Sequence, residues 1–147
     1  MSKARYLKIA TDFISHCKDN RAFAQVASAG TARPVLVDEG RVKVELEVTQ
    51  EMTNPFGTLH GGCTATLIDI FTTAAVLCSE KSPNAGVSVD LHVSYHAAAK
   101  VGETVVLDSV VTKAGKSIAF TKAELFRKHD NVLLASGLHT KAFAFKR

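Results

Sequence analysis

From Leu59 to Ser79 the chain carries a single formally charged residue, Asp69. The apolar residues there recur with helical spacing, at Cys63, Leu67, Ile70, Phe71, Ala74 and Cys78, and the opposite side carries Ala65, Ile68, Ala75 and Val76. A helix that is apolar nearly all round has to be enclosed, because no side of it suits water. It is too short for a bilayer, holds four threonines and contains Asp69, so a membrane span is not expected. The run therefore predicts a buried central helix over about residues 60–79, and the rest of the chain has to wrap it.

The remaining pattern supplies that wrapping. "VLVDEGRVKVELEV" reads as a hairpin, with Val42, Val44, Leu46 and Val48 alternating against Lys43, Glu45 and Glu47, and "DEGR" as the turn. "GVSVDLHVSY" alternates too, which predicts Val87, Val89, Leu91, Val93 and Tyr95 on one face. "ETVVLDSVVTK", "SIAFTKAELFR" and "VLLASGLHTKAFAF" follow, with turns at Lys100–Gly102, Ala114–Lys116 and Lys128–Asn131. Short turns predict antiparallel neighbours. Tyr6, Ile9, Phe13, Ile14 and Cys17 predict an N-terminal helix over about residues 3–18. It reads as a docked helix or as a mitochondrial transit helix, and Asp12 and Asp19 weigh against the second. Residues 1–147 are the size of one domain, and the element order predicts an α+β fold: one antiparallel sheet around a long central helix.

Composition excludes several function classes. Net charge is +4, with no Lys/Arg run longer than two, no Trp and two Tyr, so nucleic acid is not an expected partner. A mild positive charge fits an anionic small ligand or a merely solvated surface. The odd cysteine count, Cys17, Cys63 and Cys78, matches no zinc spacing and predicts reduced thiols in an intracellular protein, cytoplasmic or mitochondrial. No metal is expected: His92 and His96 on a strand stand roughly 13 Å apart, beyond one ion's reach. "GKS" at 115–117 lacks the earlier glycine of a nucleotide loop and lies between strands, so it reads as a hairpin turn or as a backbone-plus-Lys phosphate contact. No G-x-S-x-G elbow is present.

The informative segment is "NPFGTLHGG", residues 54–62. If the helix begins there, the backbone N–H groups of His60 and Gly61 are unpaired donors at the positive end of a helix dipole. Glycines at 57, 61 and 62 let a ligand approach the backbone, as an oxyanion hole for a carbonyl requires. A Gly-rich turn without a ligand reads equally well. Asp69 lies eight residues beyond Gly61, about 12 Å along the helix and about 80° around it. It cannot reach a carbonyl held at Gly61 of its own helix. It can reach one held by a second chain whose helix packs antiparallel. A structural Asp bonded to nearby backbone is the plainer alternative.

Thr53 to Asp69, "N-x-x-G-T-L-H-G-G-x-x-A-T-L-x-D", followed by "GVSVD" at 86–90, resembles the hotdog-fold acyl-CoA thioesterases. The resemblance implies a hotdog fold, a homodimer with one continuous sheet, and dimers paired into a homotetramer. It implies that Asn54, His60 and Gly61 of one chain face Asp69 and Ser88 of the other. In those roles Gly61 N–H and Asn54 polarise the thioester carbonyl, with His60 close by. Asp69 is the general base on water and Ser88 orients that water. Coenzyme A would rest on Tyr95, His96, Ala97, Ala98, Ala99 and Lys100 and on Lys113, Ala114, Gly115, Lys116, Ser117 and Ile118. The "HAAA" at 96–99 is a departure, since relatives often carry proline there. No cofactor is implied, and the substrate is a medium- to long-chain fatty acyl-CoA. A hotdog dehydratase, an aryl-acyl-CoA thioesterase and a non-catalytic acyl-CoA or lipid-binding module are the alternatives.

Overall fold

In the computed structural model, which describes residues 2–19, 31–82 and 84–143, the low-charge run forms α2 (Gly61–Leu77). Its buried residues, Thr64, Leu67, Ile68 and Phe71 to Val76, fall on all sides of the axis, as an enclosed helix requires. Before it come α1 (Lys3–Asp19), β1 (Arg33–Asp38), β2 (Arg41–Glu47) and a short 3-10 turn at Gln50–Met52. After it come β3 (Val87–Tyr95), β4 (Thr104–Ala114), β5 (Ile118–Arg127) and β6 (Leu133–Ala142). All strand pairs are antiparallel, in the order β1-β2-β4-β5-β6-β3. The core lies between this sheet and α2, where Leu67, Ile68 and Phe71 meet Val42, Val44, Leu46, Val105, Leu107 and Leu125. Helix α1 buries Tyr6, Ala10, Ile14 and Cys17 against the same core, in keeping with a docked helix.

The expectation that short turns join neighbours holds for β1–β2, β4–β5 and β5–β6 and fails for β3 and β4. Among the described residues strand β3 pairs only with β6, at the far edge. Residues 96–103 instead cross the end of the sheet, and their backbone is satisfied on the way. Ala99 O accepts from Leu59 N (2.8 Å), Ala98 O accepts from Arg127 Nη1 (3.0 Å), and Lys100 bridges Thr58. Such bonds substitute for a hairpin ladder and let the chain pass over two strands, β6 and β5.

The strict alternation read into β3 also fails at one point. A bulge between Ser88 and Asp90 inserts Val89. The bulge shifts the parity, so Ser88 reaches the helix side that Leu91, Val93 and Tyr95 also face, although it lies an odd number of residues from each. On β6, residues 135, 137, 139 and 141 are all buried beneath α2. Gly137 sits there at closest approach: a Cβ on it would stand 2.8 Å from Ile68 Cγ2.

Candidate active site

The first cluster is built by the loop before α2. Asn54 Oδ1 accepts from Phe56 N (2.9 Å) and Thr58 N (3.2 Å), and Asn54 N donates to Thr58 O (2.9 Å). This side-chain turn, with Gly57 in the left-handed region (φ 73°), fixes the loop. Asn54 Nδ2 gives one hydrogen to Thr58 Oγ1 (2.9 Å), which leaves its second amide hydrogen open. The sequence predicted two free N–H groups at the helix start, and the structure leaves one. His60 N is taken by Met52 O (2.9 Å), because the 3-10 turn brings that carbonyl back under the loop. His60 caps the helix, its Nδ1 accepting from Gly62 N (2.9 Å), so its ring proton is on Nε2. Gly61 N–H has no acceptor among the described residues and stands at the positive end of α2. Tyr95 donates from its hydroxyl to Gly61 O (2.9 Å) and so ties the end of β3 to this site.

The second cluster lies two turns along α2. Asp69 is the one formally charged residue of α2. Its side chain is 45% exposed, and its company comes from β6. His139 Nε2 lies 3.5 Å from Asp69 Oδ1 and 2.9 Å from Ser88 Oγ. His139 is 1% exposed. Its other nitrogen lies 2.6 Å from Thr72 Oγ1, whose one proton goes to Ile68 O at 2.7 Å. The Thr72 oxygen is therefore the acceptor and His139 Nδ1 carries the proton. Burial pushes the His139 imidazolium below its ordinary value, against the pull of Asp69, so the ring is neutral near pH 7. A neutral ring with its proton on Nδ1 accepts at Nε2, and Ser88 is the donor. The Ser88 oxygen then keeps its lone pairs for something in solvent. Lys141, 5% exposed, donates from Nζ to Thr73 Oγ1 at 3.0 Å, and Thr73 Oγ1 donates to Asp69 O at 2.8 Å. Burial holds the Lys141 ammonium below its ordinary value, opposed by the Asp69 charge.

Asn54, His60, Gly61, Tyr95 and Lys100 thus share one end of the molecule, and Asp69 and Ser88 come together elsewhere. Strand register gives the separation. Val87 and Ile118 both pair with Ala142, so the Lys113–Ser117 turn lies at the Ser88 end of β3. Tyr95 pairs with Ala135 at the other end, roughly 26 Å away at strand rise. The two candidate coenzyme A segments thus lie at opposite ends of β3 within one chain. Gly115 N donates to Ile118 O (2.9 Å), so "GKS" is a hairpin turn with Lys116 exposed. His92 and His96 are exposed, and each ring faces a serine, Ser94 (3.5 Å) and Ser136 (3.0 Å).

His139 and Lys141 were not singled out in the sequence. The signal was present: in "ASGLHTKAF" they occupy alternate positions with the small Ala135 and Gly137, which is the face a packed helix selects.

A family model described as the thioesterase superfamily matches residues 56–134. Acyl-coenzyme A thioesterase 13 of Homo sapiens is 48% identical over 102 residues, 69% of this chain and 72% of that protein. The solved structure of zebra fish thioesterase superfamily member 2 superposes with a TM-score of 0.86 at 36% identity, covering 91% of this chain and 95% of that one. That of thioesterase superfamily member 2 from Mus musculus gives 0.81 at 34% identity, covering 98% and 100%.

Proposed function

The chain belongs to the thioesterase superfamily, and from that premise we propose that it hydrolyses acyl-CoA thioesters, medium- to long-chain fatty acyl-CoA among them. One observation carries the reading. Asp69 and Ser88 converge on the same nitrogen of a buried, neutral histidine while the Asp69 carboxylate stays open to solvent.

The mechanism follows from the two clusters. Gly61 N–H, with the spare Asn54 amide hydrogen, receives the thioester oxygen as it gains charge. Water donates one hydrogen to Ser88 Oγ and is deprotonated by Asp69 as it attacks the carbonyl carbon. The tetrahedral oxyanion collapses, the C–S bond breaks, and the coenzyme A sulfur takes the proton. His60 Nε2–H lies on the loop side of the carbonyl. No resident cofactor is needed for these steps.

The halves belong to two chains. Gly61 and Asp69 of one helix are about 12 Å apart along the axis and point about 80° apart. A two-fold axis through the middle of β3 would bring one chain's Gly61 end to the other's Asp69 end. The same axis would set Tyr95–Lys100 of one chain beside Lys113–Ile118 of the other, which joins the two halves of the coenzyme A site. Edge strand β3 suits such pairing, since Val87 and Val89 are exposed on an otherwise unpaired edge. Dimers would pair further into a tetramer, acting in cytoplasm or mitochondrion.

Steady-state hydrolysis across fatty acyl-CoA chain lengths, with an aryl-acyl-CoA as comparator, tests the substrate. Turnover rising with chain length is the expected result. Binding without turnover of any of them would leave a binding module.

A further inference from the structure

The chemistry above gives Lys141 no task, yet its ammonium is taken almost wholly out of water. A buried cation is tolerated only with hydrogen bonds and an opposite charge. Its acceptor among the described residues is one hydroxyl, Thr73 Oγ1, at 3.0 Å. That hydroxyl passes its own proton to Asp69 O at 2.8 Å. Asp69 is also the only carboxylate between Leu59 and Ser79, the helix that Lys141 faces. Among the described residues, the charged groups that act on Asp69 are His139 and Lys141 from β6, with Asp90 of β3 acting on His139. With His139 neutral, Lys141 is the one cation of this cluster among the described residues.

We propose that Lys141 is a positioning residue for the hydrolytic step: its ammonium favours the ionised Asp69 carboxylate and, through Thr73, anchors the helical turn that carries it. This rests on Asp69 being the base. Lys141 does not touch the thioester. It acts on the charge and place of the group that does. The pull of the Asp69 charge on the Lys141 ammonium, set against the effect of burial, is in keeping with that coupling.

The test is a pH profile. Losing a neighbouring cation makes a carboxylate harder to ionise, so in Lys141→Met the acid limb of kcat/KM should move to higher pH by about one unit, the scale of a single charge neighbour. KM should stay near wild type. Lys141→Arg should restore the limb, since a packing role alone gives no reason for the limb to follow charge. A second measurement needs no folded Lys141 variant. Coupling between two sites is mutual, so in Asp69→Asn the Lys141 ammonium, followed by nitrogen NMR of labelled lysine, should lose its proton at lower pH. An unmoved acid limb in folded Lys141→Met, or an unmoved lysine titration in Asp69→Asn, overturns the proposal. The outcomes also separate the two readings. Full activity in Asp69→Asn removes the base and Lys141's role with it. An inactive Asp69→Asn with an unmoved limb in Lys141→Met removes only the role of Lys141.

Discussion

The two ends of the candidate site are made in opposite ways. At the start of α2, a carbonyl would meet backbone: Gly61 N–H, on a loop shaped by bonds between near neighbours and tied down from Tyr95 and Ala99. At Asp69 the chemistry is side chain, and the cluster is closed by side-chain bonds that span 51 to 68 residues, from Ser88 to His139, Thr72 to His139 and Thr73 to Lys141. The first end depends on a helix dipole, which no conservative substitution removes. The second depends on titratable groups whose protonation a low-dielectric setting controls. In the proposed reaction one end would stabilise charge and the other would move a proton, and each uses the material suited to it.

The comparison breaks most visibly at Asp69. Asp69→Asn keeps shape and loses the base, so kcat should fall about 10²- to 10⁴-fold with KM nearly unchanged. The assay belongs on protein shown to keep its oligomeric state, and near-full kcat there would end the catalytic assignment.

At the opposite end, Gly61→Pro is the sharper change. Proline is tolerated at the first helical position, so the substitution deletes the donor and spares the helix. Loss of one oxyanion donor costs about 10²- to 10³-fold in kcat. Mixing this variant with Asp69→Asn sharpens the comparison further. One of the two sites in each mixed dimer would carry neither change, so about a quarter of wild-type activity should return under random exchange in a two-fold dimer. No recovery despite demonstrated exchange means that both ends serve one chain.

Ser88→Ala removes an acceptor for water and frees His139 Nε2, without removing the base. A loss of about tenfold in kcat is expected, the scale of one hydrogen bond, and a loss equal to that of Asp69→Asn would merge the two roles.

The smallest effect is expected on the rim. Lys100 and Lys116 are exposed and lie at opposite ends of one chain. Lys100→Glu and Lys116→Glu should each raise KM severalfold at low salt and less at higher salt, because exposed charges are screened within about 10 Å at 0.1 M. An unchanged KM would make both lysines solvated surface.

What the sequence made legible follows the same division. The enclosed helix, the hairpin turn at 115–117 and the Gly61 donor rest on neighbours in the chain, and periodicity with turn chemistry reveals them. The position of β3 beside β6, the bulge that turns Ser88 inward, and the approach of His139 and Lys141 to Asp69 rest on contacts between distant segments. Period-two reading assumes an unbroken ladder, so it sent Ser88 to the wrong face. His60 shows the finer limit. Its N–H was counted as free from its place at the helix start, but Met52 O, folded back by a single 3-10 turn, claims it.

Gly137 sets a bound on how this sequence can drift. Alanine is the smallest departure from glycine, and its methyl would stand 2.8 Å from Ile68 Cγ2. Ile68 is fully enclosed and β-branched, so that methyl has no free rotamer to take. Relief has to come from the helix, and Ile68 is the residue before Asp69. Retreat at one would therefore draw the other away from His139. The neighbouring position is under no such constraint, since Leu138 faces outward and is exposed. Two adjacent codons thus differ in their freedom to vary: one is open to substitution, and the other fixes the spacing between Asp69 and His139.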